Sequence, residues 1–184
     1  MAPSVSLVAH AVLLVVTLLD GHSALPISQG PEWATPMPEP IVNIATLAGA
    51  KADNKTSNTA VFQAAVAAIK SSGGGTLLVP DGTWLTGPFN LTSNMTLFLA
   101  ADATIQGSTN ITEWPLIPAM KSYGQGRDHA GPRHTSLLHG FNLRGVTIGG
   151  ENGTVDGGGP FWWARHHSGE EKFTRGHLFE CLYC

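Results

Sequence analysis

Three short segments of the sequence recur, in the same order, about fifty residues further along the chain. The pairs are Phe-Asn-Leu at 89–91 and 141–143, Thr-Leu at 96–97 with Thr-Ile at 147–148, and Ile-Gln-Gly at 105–107 with Val-Asp-Gly at 155–157. Repeats at a nearly fixed spacing are typical of stacked structural units that contact only their neighbours. We therefore predict a β-solenoid in which fifty residues correspond to two coils. Chance similarity between Gly- and Thr-rich strands is the alternative.

Between these repeats, short apolar runs alternate with turn residues. Charged residues make up 12% of the chain, about half the usual share of ~25%, and 22 of the 184 residues are glycine. This composition favours many tight turns between thin strands. The predicted strands are residues 76–80, 83–85, 95–99, 103–105 and 146–148.

One segment, residues 59–70, has helical periodicity instead, with apolar residues at i, i+3, i+4 and i+7. These positions are Phe62, Ala65, Val66 and Ile69. We predict Asn58 as the N-cap and Gly73 as the residue that stops the helix. Because the first coil of a solenoid exposes unpaired backbone groups and the end of its core, we expect this helix to cover that end.

The chain begins with an apolar stretch at residues 5–19, shorter than the ~20 residues that span a bilayer. A small residue, Ala24, follows at a suitable cleavage position. We predict a signal peptide over residues 1–24, and hence a secreted protein of the extracellular space or cell wall; an uncleaved signal anchor is the alternative. Five prolines in residues 25–40 predict an extended linker, so the folded domain covers residues 41–184.

Five Asn-x-Ser/Thr sequons support export, because N-glycans are added to surface residues of secreted proteins. The glycosylation candidates are Asn54, Asn90, Asn94, Asn110 and Asn152.

The only cysteines, Cys181 and Cys184, are too few for a disulfide framework. A Cys-x-x-Cys pair can serve redox or metal chemistry where the structural context supports it. We interpret these two as strand cysteines whose partners, if any, are missing from this sequence.

The charge balance argues against nucleic acid and anionic lipid as partners. There are 10 Lys and Arg against 13 Asp and Glu, a formal net charge of −3, and the basic residues do not cluster. We expect no cofactor and no metal site. The glycines at 73–75 lack the Lys-Ser/Thr of a phosphate loop, and His166, His167, Glu170 and Glu171 match no standard metal spacing.

Several motifs in one order carry a family resemblance. They are GAKAD at 49–53 with NTA at 58–60, GGGTLLVPDGTW at 73–84, SYGQGR at 122–127, SLLHG at 136–140, and GENGTVDGGG at 150–159 with Trp-Trp at 162–163. This series resembles the polygalacturonases, a pectin-degrading family of glycoside hydrolases, and its plant-type members in particular. The family favours Gly where Asn54 stands, Asp where Ser57 or Asn58 stands, and Gln at Gly158. Asn tolerates the left-handed conformation that a turn needs, so the first change is mild.

The resemblance implies an all-β protein, a right-handed single-stranded parallel β-helix that hydrolyses α-1,4-galacturonosyl bonds of pectin, an acidic polysaccharide. Inversion of the anomeric centre needs two carboxyl groups roughly 6.5–9.5 Å apart. The family's Asn-Thr-Asp, Asp-Asp, Gly-His-Gly and Arg-x-Lys motifs do not occur in this sequence. We therefore expect an amino-terminal portion that is inactive alone, with its catalytic residues encoded beyond Cys184. The alternative is a non-catalytic module that holds acidic polysaccharide through Arg127, Arg133 and an exposed tryptophan.

Two further features of the sequence could be taken for functional residues. We interpret Asp156 as a turn aspartate that bonds its own backbone, rather than as a catalytic acid. Trp162 and Trp163 could stack on a sugar ring, but as adjacent residues on a strand they face opposite ways, so at most one points into a groove and core or coil-wall packing is favoured.

The segment with Arg127, Asp128, His129, Arg133 and His134 is open to two interpretations. It is either a loop that attracts a polyanionic sugar or an ordinary solvated loop.

Overall fold

The computed structural model describes residues 37–119 and 128–184, all within the compact unit Pro36–Cys184. The predicted signal peptide, most of the predicted linker and Arg127 lie outside the described residues. None of the described helices combines the length and the apolar character that crossing a bilayer requires.

The described residues form short strands and two α-helices. The strands are β1 Ile41–Asn43, β2 Gly75–Val79, β3 Gly82–Thr86, β4 Phe89–Asn90, β5 Met95–Leu99, β6 Ala103–Gly107, β7 Leu116–Ile117, β8 Arg133–His134, β9 Leu138–Phe141, β10 Thr147–Gly150, β11 Thr154–Asp156 and β12 Phe179–Leu182. The helices are α1 Thr59–Ser71 and α2 Gly159–Ser168. Apart from the antiparallel pair of β7 and β8, the paired strands run parallel.

Three parallel sheets form the walls of the solenoid. The first has the order β1, β2, β5, β10; the second has β3, β6, β11; and the third has β4, β9, β12. Each of the three coils that follow β1 contributes one strand to each wall, and consecutive coils pair in register. The predicted parallel β-helix is therefore confirmed.

The register confirms two of the three sequence repeats and corrects the third. Thr147 pairs with Thr96, and Val155 pairs with Ile105, as their similarity predicts. Phe89, however, pairs with Leu138, so the match to Phe141 is wrong.

The prediction that fifty residues make two coils is also wrong, because β5 and β10 are direct neighbours. The preceding coil, from β2 to β5, takes only 20 residues. The connection between the second and third walls accounts for the difference, since it has 2 residues after β3 and 30 after β6.

Helix α1 covers the end of the apolar core, as predicted. Five of its side chains are buried: Val61, Phe62, Ala65, Val66 and Ile69. Phe62 is fully buried and stacks on Phe89, with ring centroids 4.6 Å apart. Burying such a side chain contributes roughly 1.5–3 kcal/mol.

Asn58 lies at the N-cap position of α1, but its side chain does not cap the helix. The fully buried amide instead accepts a hydrogen bond from the backbone N–H of Lys51 and donates to the carbonyl oxygens of Lys51, Thr56 and Leu85. These four hydrogen bonds satisfy the buried amide itself. Asn58 therefore joins the loop before α1 to strand β3.

The strand environment expected for Trp162 and Trp163 is wrong, because both lie in helix α2. Gly158 and Gly169 flank this helix in left-handed conformations, and Pro160 occupies its first turn. Proline suits the first turn because the backbone N–H groups there have no partner within the helix.

Asn54 shows why a family glycine can be replaced here. Its φ is +54°, in the left-handed region that Asn tolerates better than most residues. This conformation agrees with the expectation that the substitution is mild.

The two cysteines pair with each other, so the expectation of missing partners is wrong. Cys181 in β12 and Cys184 form a disulfide across a separation of three residues. The Cα atoms, 5.8 Å apart, are close enough for the bond to form.

Candidate functional site

A groove of about 810 Å³ lies beside helix α2, and we call it the tryptophan groove. The lining residues used below are Asp128, Asp156, Trp163, Arg175 and His177. They come from the segment after the undescribed gap, from β11, from α2 and from the segment before β12.

The centre of the tryptophan groove is a fixed stack of charged and aromatic side chains. The guanidinium carbon of Arg175 lies 3.8 Å from the centroid of the Trp163 ring. Two nitrogens of the same guanidinium donate to the two carboxylate oxygens of Asp128, at 2.9 and 3.2 Å. This bidentate geometry leaves Arg175 neutralised and the indole of Trp163 positioned.

The two adjacent tryptophans lie in different environments. Trp162 is 7% exposed and packs edge-on against Trp114, whereas Trp163 is 50% exposed. The expectation that at most one of them points into a groove is wrong, because both line the tryptophan groove, although only Trp163 is half-exposed.

Asp156 has the turn geometry that its sequence context predicts. Its Oδ1 accepts a hydrogen bond of 2.8 Å from the backbone N–H of Gly158. This contact shapes the turn from β11 into α2 at the edge of the tryptophan groove.

Arg133 is not a solvated cation, so it is unsuited to the polyanion-binding role proposed for it. It donates to Oε2 of Glu180 at 2.8 Å, and the two side chains are 6% and 7% exposed. The imidazole rings of His139 and His177 each lie within ion-pair distance of the Glu180 carboxylate.

The neighbouring cations favour the ionised form of the Glu180 carboxylate. Burial by itself would raise the pKa of Glu180, but the hydrogen bond and charge of Arg133, assisted by His177, hold the pKa below its usual value. Burial lowers the pKa of His139, and the nearby charge of Glu180 offsets part of this effect.

A second buried group involves Glu171, one of the four residues whose spacing matches no standard metal site. Its carboxylate bonds His134 at 3.2 Å and Arg165 at 3.4 Å. Burial opposes ionisation of Glu171, yet the Phe173 N–H and the His134 and Arg165 side chains keep its pKa below the usual value. Within residues 37–119 and 128–184, no three His, Cys, Asp or Glu side chains are placed to hold a metal ion.

A second groove, of about 820 Å³, runs over the outer face of the third wall, and we call it the Asn90 groove. Its lining includes Lys70, Asn90, Thr92, His139 and Phe141. All five sequon asparagines have exposed side chains, and their glycosylation stays a prediction.

Sequence reasoning missed the partners of these buried charges. Asp128 pairs with Arg175 and Arg133 pairs with Glu180, both across 47 residues. The one signal in the sequence is that both pairs of opposite charges are separated by the same 47 residues. This signal becomes informative only when the two segments are known to be neighbours.

Curated proteins similar to this chain include a probable polygalacturonase and a galacturonosidase. No protein-family model matches the chain. A probable polygalacturonase of Vitis vinifera is 50% identical over 138 residues, which cover 73% of this chain and 28% of the relative. An exo-poly-alpha-D-galacturonosidase of Dickeya chrysanthemi is 32% identical over 139 residues, covering 72% and 21%. The chain thus spans about a quarter of the length of the curated relatives it matches.

Solved structures give the same assignment. A hyperthermoactive exopolygalacturonase from Thermotoga maritima is 28% identical with a TM-score of 0.56, covering 67% of this chain and 26% of that one. The Family 28 exopolygalacturonase of Yersinia enterocolitica is 32% identical with a TM-score of 0.51, covering 64% and 20%. With its motifs, its stacked coils and these relatives, the chain belongs to the polygalacturonase-like family of glycoside hydrolases and has its right-handed parallel β-helix.

Proposed function

We propose that this chain forms part of a secreted enzyme that hydrolyses the α-1,4-galacturonosyl bonds of pectin in the cell wall. One observation carries the proposal: the 50% identity to the Vitis vinifera probable polygalacturonase extends over 138 residues. Such similarity extends well beyond isolated Gly-rich turns and covers strands, turns and inserts together.

The buried carboxylates of the described coils are unsuited to the acid role in this chemistry. A general acid needs a pKa raised towards the working pH, so that its proton is still present when the glycosidic bond breaks. The pKa values of Glu171 and Glu180 are lowered instead, because arginine and histidine side chains favour their ionised forms. These residues hold segments of the coil together, and the inverting pair of carboxyl groups is expected in the family motifs absent from this sequence.

A second candidate function is a non-catalytic module that binds acidic polysaccharide, and the half-exposed ring of Trp163 is the observation that favours it. Two arginines of the described residues argue against such a module. Arg133 and Arg175 are both neutralised by buried carboxylates, Glu180 and Asp128 respectively. Long-range attraction of a polyanion by these two arginines is correspondingly weak.

The test compares two secreted proteins on polygalacturonate with a reducing-end assay. One is the 184-residue chain; the other is the product of the transcript read past the codon for Cys184. We expect release of reducing ends only from the second, and only while the aspartate of its Asn-Thr-Asp motif is intact. Turnover by the 184-residue chain would contradict the proposal. A stop codon directly after Cys184, with pectin binding that weakens in salt, would favour the module.

Export has its own measurement. The apolar stretch at residues 5–19 and the five exposed sequons support it. We expect the protein in the medium of plant cells to begin at Leu25, as read by amino-terminal sequencing. Retention of residues 1–24 on a membrane-bound product would favour the signal anchor.

A further inference from the structure

We propose that Asn90 carries an N-linked glycan whose first N-acetylglucosamine lies in the Asn90 groove against the ring of Phe141. The inference rests on the export that is part of the proposed function. It adds a specific modification site and a specific contact surface for the glycan.

The strand register places the two residues on one face of the third wall. Asn90 of β4 pairs with His139 of β9, and Phe141 follows His139 by two residues on the same face. From the strand rise and spacing, the Cα atoms of Asn90 and Phe141 are separated by roughly 8 Å. That distance suits a sugar linked to one side chain and packed on the other.

The groove contains an apolar surface that the described residues leave uncovered. Phe141 is 60% exposed, and Tyr183 lies edge-on to it with centroids 5.6 Å apart. Exposed Lys70 and half-buried His139 line the same groove. An N-acetylglucosamine offers an apolar ring face to the aromatic ring and hydroxyl and acetamido groups to such polar side chains.

Two of the other sequons, at Asn94 and Asn152, lack this combination. Asn152 lines a groove of about 180 Å³ whose other lining residues are aliphatic or glycine. Asn94 donates its side-chain N–H to the carbonyl oxygen of Gly73, across the turn that begins β5. Asn152 is therefore a matched control for an exposed sequon without an aromatic neighbour.

The experiment maps sequon occupancy by mass spectrometry on the full chain secreted from a eukaryotic host. Thermal unfolding then compares Asn90→Gln, Asn152→Gln, Phe141→Ala and the double variant Asn90→Gln/Phe141→Ala. We expect Asn90 to be occupied and Asn90→Gln to lower the Tm by about 2–4 °C, the shift for a loss near 1 kcal/mol in a chain of this size. Asn152 has a φ of +66°, so Asn152→Gln carries a backbone cost that should be the same with and without glycosylation. Asn90→Gln should have no effect once Phe141 is alanine.

Two controls isolate the glycan. The same variants made without glycosylation in bacteria should show no Tm difference between wild type and Asn90→Gln. Thr92→Ser keeps the sequon and should keep the glycan, whereas Thr92→Ala removes it and serves if Asn90→Gln does not fold.

Occupied sequons elsewhere with Asn90 unmodified would overturn this inference and leave export standing. An occupied Asn90 whose stabilisation is insensitive to Phe141→Ala would overturn the contact. Failure of secretion would overturn export and this inference together.

Discussion

Between Gly75 and Gly107 the buried side chains carry no charge, whereas the segment from Asp128 to Glu180 buries several ionised groups. The first stretch packs aliphatic and aromatic residues, with three threonines, inside the coils. The buried charged or titratable residues of the second are Arg133, His134, Glu171, Arg175 and Glu180. The regular coils are thus stabilised by apolar area, which tolerates changes in pH and salt. In the irregular stretch, buried ion pairs join segments that are distant in sequence; removing one partner is costly, and the charges respond to pH.

The largest effect should come from opening the apolar end of the first stretch. Phe62→Ala removes the ring that stacks on Phe89 and leaves a cavity under α1. We expect a loss of about 3–5 kcal/mol in the free energy of unfolding, measured in urea. Gln63→Ala, at the exposed neighbouring position, is the control and should change stability by less than about 0.5 kcal/mol. Equal losses for both variants would show that α1 does not cap a packed core.

The matching change in the second stretch is Glu180→Gln. The buried Arg133 would keep its charge without a carboxylate, and its Nε already has no partner among the described residues. We expect a loss of about 3 kcal/mol in urea unfolding. Glu170→Gln breaks the exposed ion pair with Arg165 and should cost no more than about 1 kcal/mol. If Glu180→Gln lowers the free energy of unfolding no more than Glu170→Gln does, the buried pair is no more important for stability than the exposed one.

Acidification should weaken the second stretch selectively. The folded-state pKa of His139 is below its usual value, so stability falls as the pH drops below about 6.5, the pKa of an unperturbed histidine. The pKa values of Glu171 and Glu180 are also lowered, so a further loss follows as the pH falls below about 4.3, where an unfolded glutamate titrates. Urea unfolding from pH 7 to pH 3 measures both steps. His139→Gln should flatten the upper step alone, and an unchanged profile would contradict the assignment.

The smallest effect is expected at the surface of the tryptophan groove. Trp163→Ala removes the ring under Arg175, while the pair of Arg175 with Asp128 remains. We expect a loss of about 1 kcal/mol in thermal or urea unfolding. Trp163→Phe keeps an aromatic face and should recover most of it. A loss as large as that of Phe62→Ala would place Trp163 in the core rather than at a groove.

The regular stretch could be predicted from sequence because stacked coils place equivalent residues next to each other. Thr96 and Thr147 occupy the same position in neighbouring coils, so their similarity carries the register. Helix α1 was predicted because its apolar spacing is local. The predicted number of coils was wrong because sequence similarity indicates which residues stack but not how many residues a coil contains. The connection between the second and third walls varies in length from coil to coil.

The irregular stretch was not predicted because its determinants are pairs distant in sequence. Nothing local in Arg133 distinguishes a solvated arginine from one buried against Glu180. The strand expected for Trp162 and Trp163 is a helix, flanked by left-handed glycines at 158 and 169 and with Pro160 in its first turn. The disulfide was missed for a different reason: the partner of Cys181 lies only three residues away, whereas the partners were expected outside this sequence.

The connections from the second wall to the third have 2, 30 and 22 residues in successive coils, yet the strands on both sides stay in register. The number of residues in the connection between the second and third walls therefore does not affect how the strands stack. Insertions and deletions can accumulate there during evolution without disturbing a single rung. Such a connection lets related proteins diversify their surface chemistry while inheriting one scaffold.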